Sequence, residues 1–108
     1  MSRLDQLTKL YESDPSDPFL TYGIGLEHSN AGDFETAIQW LDKTLEIDAG
    51  YCYAYFQKAK ALSEMGKDDD ARATAQEGIR QAGSIDPATG VARDAHAQSE
   101  LSELLTML

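Results

Sequence analysis

Turn-forming residues interrupt this chain at short, nearly regular intervals, and that punctuation limits what it can fold into more than any other feature. Asp14-Pro15, Gly32-Asp33, Asp48-Ala49-Gly50, Gly66-Lys67 and Gly83-Ser84 each break the pattern that precedes them. A residue before proline is pushed out of the α region, and glycine commonly terminates helices. Asp17-Pro18 has the opposite form, a capping residue followed by proline in a first turn, and Asp86-Pro87 restarts the chain in the same way.

Between the breaks, apolar residues recur with helical period. Leu4, Leu7 and Tyr11 share one face, with Leu10 beside them. Leu20, Ile24 and Ala31 follow, with Phe19, Tyr22 and Leu26 on an adjacent face. Phe34, Ala37, Ile38, Leu41 and Leu45 form the cleanest stripe, then Tyr55, Ala59, Leu62 and Met65. A stripe of small residues, Ala71, Ala75, Gly78 and Ala82 with Ile79, comes after Asp68-Asp69-Asp70. The last runs from Asp86-Pro87 through Val91, Ala95, Leu101, Leu104, Leu105 and Leu108. No segment alternates with period two between hairpin turns. The expectation is an all-α chain of six helices joined by short loops.

Composition bounds the function. The 108 residues fit one domain, and 42% hydrophobic content opposes wholesale disorder. Nine Lys and Arg against 19 Asp and Glu give a formal charge of −10, which repels nucleic-acid phosphate and anionic membrane surfaces. The predominance of Asp among the acids is also compatible with a salt-rich habitat. Cys52 is the single cysteine, so neither an intramolecular disulfide nor a thiolate metal cluster can form, and a cytoplasmic address is expected. The first residues alternate charged and apolar side chains, unlike a signal peptide, and no apolar run approaches the roughly 20 residues a membrane span needs.

The breaks also repeat. Gly32 and Gly66 lie 34 residues apart, as do Ala37 and Ala71. Sliding 18–51 over 52–85 gives three identities, with Ser29 on Ser63 the third. Residue classes align better than identities: Phe19 with Tyr53, Tyr22 with Phe56, Gly25 with Ala59 and Leu45 with Ile79. This arrangement resembles the tetratricopeptide repeat, an antiparallel helix pair of 34 residues, as found in small bacterial-type members of that family. Gly25 matches the small residue where the pair crosses, Gly32-Asp33-Phe34 the turn, Ala37 and Leu41 the second helix, and Leu45-Glu46-Ile47-Asp48 the ending. In 52–85, Ala59, Gly66, Ala71, Gly78 and Ile79 fit; Asp68 and Ala75 depart from the pattern, standing where an aromatic and a bulky residue are usual. The resemblance implies an α-α superhelix with a lone second helix at 1–17, repeats at 18–51 and 52–85, and a capping helix at 86–108.

The search for chemistry is negative. His28 falls at a helix position that packs between helices, and His96 has no His, Cys or Glu at metal-ligand spacing that would make a site. Asp68-Asp69-Asp70 lacks the alternate spacing and central glycine of a calcium loop, and three acids suit a helix N-terminus. Cys52, between Tyr51 and Tyr53, reads as a small packing residue, and Gly23-Ile24-Gly25 is no nucleotide fingerprint. The expectation is no catalysis, no metal and no cofactor.

The resemblance instead implies a groove lined by the first helix of each pair. The matching positions are Phe19, Tyr22, Leu26, Ser29 and Asn30, then Tyr53, Phe56, Lys60, Ser63 and Glu64. Four aromatics in such a surface suit an apolar or basic peptide or protein segment. Related domains that clamp acidic carboxyl termini use Lys and Asn where Tyr22 and Leu26 stand, which argues against that specificity. A competing expectation is an assembly role, in which Val91, Leu101, Leu105 and Leu108 pack against another copy in a helical homodimer; the chain is expected to be a monomer or a weak homodimer. The terminal helix could also fold over the groove. Small residues let helix axes approach closely, so Ala71→Leu should lower stability by about 1–3 kcal/mol through overpacking, measured by urea denaturation.

Overall fold

The computed structural model describes residues 2–108, and among these it contains six α-helices: α1 Arg3–Ser13, α2 Pro18–Asn30, α3 Phe34–Ile47, α4 Cys52–Glu64, α5 Asp68–Ala82 and α6 Ala95–Met107. Local chemistry sets most boundaries. Ser2 and Asp5 form a reciprocal capping box on α1. Asp17 accepts from the Phe19 N–H with Pro18 at the first helical position, and Asp33 caps α3 by accepting from the Thr36 N–H. Asp68, Asp69 and Asp70 occupy the first turn of α5, where the free N–H groups and the dipole favour negative charge.

The 34-residue spacing is visible in the backbone. Gly32 and Gly66 adopt φ values of +81° and +76°, the left-handed region that glycine enters without a Cβ penalty. Around them the same bonds recur: the Asp33 N–H donates to the His28 carbonyl and the Lys67 N–H to the Leu62 carbonyl, each at 2.9 Å. Asp14 and Asp48 likewise end α1 and α3 with nearly the same φ, −145° and −142°.

Each helix packs on the next, and α6 lies across both α4 and α5, giving a slab of 41 × 36 × 19 Å. Small residues hold the close crossings. A Cβ on Gly25 would come within 3.1 Å of the Leu41 side chain, and one on Gly78 would sit 2.6 Å from Tyr55 Cβ and 3.0 Å from Leu101 Cδ1. Ala37, Ala59, Ala71 and Ala75 are fully buried. Ion pairs span adjacent helices, Arg3 with Glu27 at 3.0 Å and Lys58 with Asp42 at 2.7 Å, but such surface pairs contribute little beside the buried area. Inside, Thr21 and Thr44 are both fully buried, with their hydroxyl oxygens 2.8 Å apart and within reach of the Pro18 and Trp40 carbonyls. One hydroxyl donates to the other, and the second donates to a main-chain carbonyl.

One expectation is corrected. The last helix does not start at Asp86-Pro87 but at Ala95. Asp86 instead turns the chain, accepting from the Ala88 N–H, and Gly90 has φ +73°. The segment folds back so that the Asp86 N–H donates to the Val91 carbonyl, the Arg93 N–H to the Ser84 carbonyl and the Asp94 N–H to the Ala82 carbonyl. These long-range bonds satisfy groups at the end of α5 that a helix restarting at once would have left open. Of the residues offered for a homodimer face, Leu101 is fully buried within the protomer against Gly78, Leu105 and Leu108 are half-buried and Val91 is 60% exposed.

Gly78→Ala should therefore lose about 1–2 kcal/mol in urea denaturation, although alanine is favoured by about 1 kcal/mol in a helix interior. A net gain in stability would show that α4 and α6 are free to move away from α5.

Candidate protein-interaction surface

The N-terminal part of α2 presents Phe19, 61% exposed, because Asp17 and Pro18 set the first turn while Leu20 and Ile24 take the buried face. One position round, Tyr22 is half-buried and its ring lies 5.0 Å from that of Tyr51, tilted by 38°. Burial and the neighbouring Tyr51 push the Tyr22 phenol above its ordinary pKa; burial and the carboxylates of Asp17 and Asp48 do the same for Tyr51. Both phenols are neutral at physiological pH and act as aromatic faces with a polar tip. Farther along α2, Leu26 and Ser29 are half-buried and Asn30 is exposed.

On α4, Tyr53 is half-buried beside Cys52, Ala82 and Ala97, with its ring 6.5 Å from the His96 ring. Phe56 packs against the cluster of Ala59, Ala75 and Leu104, and the Lys60 ammonium lies 5.6 Å from its ring centre. Lys60 and Glu64 are exposed and Ser63 is half-buried. The terminal helix thus forms a wall beside α4 and leaves Tyr53 and Phe56 partly open; it is not a lid over both.

The structure brings Tyr22, Tyr51 and Tyr53 to one cleft, together with Cys52, Gly50 and the carboxylates of Asp48 and Asp94. Phe56 shares a second hollow with Glu100, Glu103, Leu104 and Met107, while Lys60, Ser63 and Glu64 meet Leu104, Met107 and Leu108 in a third. Tyr51 was not among the sequence-derived groove residues. It lies at the end of the first 34-residue unit, outside the first-helix positions, and joins Tyr22 only through the α3–α4 turn. Its adjacency to Cys52 and Tyr53 was the one signal available.

The remaining chemical candidates are in ordinary settings. His28 is half-buried with Nδ1 3.6 Å from Asp33, and His96 Nε2 is 2.9 Å from Glu100 within one helix. Cys52 is buried, and its thiol donates to the Gly50 carbonyl at 3.2 Å. Burial, and then Asp94, push this thiol above its ordinary pKa. Among the described residues no three His, Cys, Asp or Glu side chains converge in a way that would hold a metal ion. No described helix is long and apolar enough to cross a membrane.

Comparison with known proteins agrees with this architecture. Residues 22–51 match the tetratricopeptide repeat family. A repeat-containing protein of Bacillus subtilis, YpiA, is 35% identical over 72 residues, 67% of this chain and 17% of that protein. An uncharacterized protein of Methanocaldococcus jannaschii is 39% identical over 51 residues, 47% of this chain and 59% of that one. The solution structure of a tetratricopeptide repeat domain protein from Salinibacter ruber superimposes with a TM-score of 0.71 at 26% identity, covering 87% of this chain and 88% of the other. The chain is a tetratricopeptide-repeat protein. Its fold is also that of SycD, the type III secretion translocator chaperone of Yersinia enterocolitica, with a TM-score of 0.81 over 96% of this chain and 68% of SycD at 16% identity. The chain spans 17% of the length of the Bacillus relative and 59% of the Methanocaldococcus one, less than two thirds of either. Tetratricopeptide repeats are a protein-interaction fold.

The buried, hydrogen-bonded Cys52 thiol should react with iodoacetamide at neutral pH at least about tenfold more slowly in the native protein than in urea. Equal rates would place the thiol in an open, activated setting.

Proposed function

We propose that this chain is a non-enzymatic interaction module, organised as a half-repeat at 1–17, repeats at 18–51 and 52–85 and a capping segment at 86–108. It binds an apolar or basic protein segment along the surface that α2 and α4 share. The observation that carries this reading is the exposure of Phe19 on α2, with Tyr22 on the same helix and Tyr53 and Phe56 on α4 only half-buried. A large aromatic left in water on a rigid helix supplies contact area at little entropic cost. The translocator chaperone of the same fold supports the idea that a protein chain is the ligand. Leu26, Asn30, Lys60 and Glu64 extend the surface and set its polar edge. A cytoplasmic address suits the single reduced cysteine.

The outer face of α6 exposes His96, Ser99, Ser102, Glu103 and Thr106, with Met107 at its end, and is largely that of a terminal helix in a repeat stack. It favours a monomeric binder over assembly through this helix.

Affinity capture from a native cell extract identifies the partner, and the variants then test the surface. Phe19→Ala should weaken that partner's binding about tenfold with the helical circular dichroism unchanged, and Tyr22→Ala with Phe56→Ala should abolish capture. Undiminished binding by both, in folded protein, removes the groove assignment.

A further inference from the structure

The cleft at the α3–α4 turn combines two features that neither aromatic packing nor the overall acidity requires. Its walls are the rings of Tyr22, Tyr51 and Tyr53, and its rim holds Asp48 and Asp94. Both carboxylates are already oriented. Asp48 Oδ1 accepts from the Gly50 N–H at 3.0 Å, and Asp94 Oδ1 accepts from the Ala97 N–H at 3.0 Å as the N-cap of α6. Each bond holds Oδ1, and among the described residues no hydrogen bond engages Oδ2 of either carboxylate. The space between, about 280 Å³, exceeds what a single side-chain head needs.

Charge around the cleft is unbalanced. Asp17 and Asp48 act on Tyr51, and Glu100 acts on Tyr22. Against them stands Arg93, whose guanidinium lies on the backbone of Gly50, where a Cβ would be 3.5 Å from Cζ. Among the described residues Arg93 closes no ion pair with Asp48 or Asp94, and His96, its ring 6.5 Å from that of Tyr53, does not line the cleft. The absence of a side chain at Gly50 is what lets the Arg93 guanidinium lie against this edge.

We propose that the Tyr22/Tyr51/Tyr53 cleft receives an arginine side chain of the bound protein segment, its guanidinium lying against the tyrosine faces and pairing with Asp48 and Asp94. Planar guanidinium stacks on aromatic rings, is weakly hydrated for a cation and matches carboxylates with two parallel hydrogen bonds. An acidic group would face carboxylates on every side, and an aliphatic one would desolvate them without return. The proposal rests on the groove reading above and adds the chemistry that selects among basic segments.

The full chain is titrated with N-acetyl-arginine N-methylamide, and separately with the leucine analogue, while NMR follows the Tyr22, Tyr51 and Tyr53 rings. The arginine compound should shift all three rings saturably and the leucine compound should not. Asp48→Asn with Asp94→Asn should weaken the arginine response at least about tenfold, because asparagine keeps each Oδ1 bond and removes the charge. Asp48→Asn alone, in an exposed turn, repeats the measurement should the double variant lose its circular dichroism. Unmoved rings, an equal response to the leucine compound, or undiminished binding by a folded Asn variant overturns the arginine assignment. None of these outcomes measures partner capture, so the groove reading stands or falls separately on the Phe19→Ala and the Tyr22→Ala with Phe56→Ala variants.

Discussion

At Gly25 and Gly78 the helix pairs come together with no side chain between a backbone and its neighbour, and the rest of the molecule is built outward from those contacts. Leu41 fills the space over Gly25, and Tyr55 and Leu101 fill that over Gly78. Close approach brings the large apolar side chains of one helix onto the alanines of the next, so a chain with few bulky core residues still excludes water. Ala37, Ala59, Ala71 and Ala75 are buried completely for this reason. A stack of this kind transmits position from pair to pair: each helix finds its place only when its neighbour is there.

The end of the array shows how that dependence is managed. After α5 the chain makes a turn and a short return before α6 begins, using the Ala82 and Ser84 carbonyls as anchors. The detour delays α6 but lets Asp94 cap it and lets Leu101 and Leu104 reach the small-residue stripe of α5. It also carries Asp94 to the mouth of the tyrosine cleft. One residue thereby ends a loop, starts a helix and contributes charge to the surface. Arg72 adds a second tie, its guanidinium donating to the Leu108 carbonyl at 2.8 Å.

The interaction surface is legible in the sequence only in part. Phe19, Tyr22, Tyr53 and Phe56 follow from the position of aromatics within the first helix of each pair, and helical geometry alone places them at matching points. Their environments do not follow. Phe19 is left in water while Tyr22, one turn on, lies against Tyr51 of the α3–α4 turn. Phe56 and Tyr53 share their space with α6, whose approach depends on a return loop that looked like helix. The buried Thr21–Thr44 pair was equally hidden, since two hydroxyls on different helices reveal nothing of each other until the helices cross.

What the sequence by itself determined were the helices, their caps and the 34-residue beat. These depend on hydrogen bonds and side-chain contacts within a few residues, and Asp17-Pro18, Asp33 and Gly32 carry that information in place. Tertiary structure decided which apolar residues remained at the surface, where α6 began and which acids gathered around Tyr51. Those outcomes require groups distant in the chain to compete for the same carbonyl, cavity or face. Asp86-Pro87 had the local form of a helix start, yet the carbonyls of Ala82 and Ser84 claimed the following N–H groups instead. Local preference proposed the elements, and the need to satisfy buried backbone and to fill the space beside Gly78 chose their arrangement.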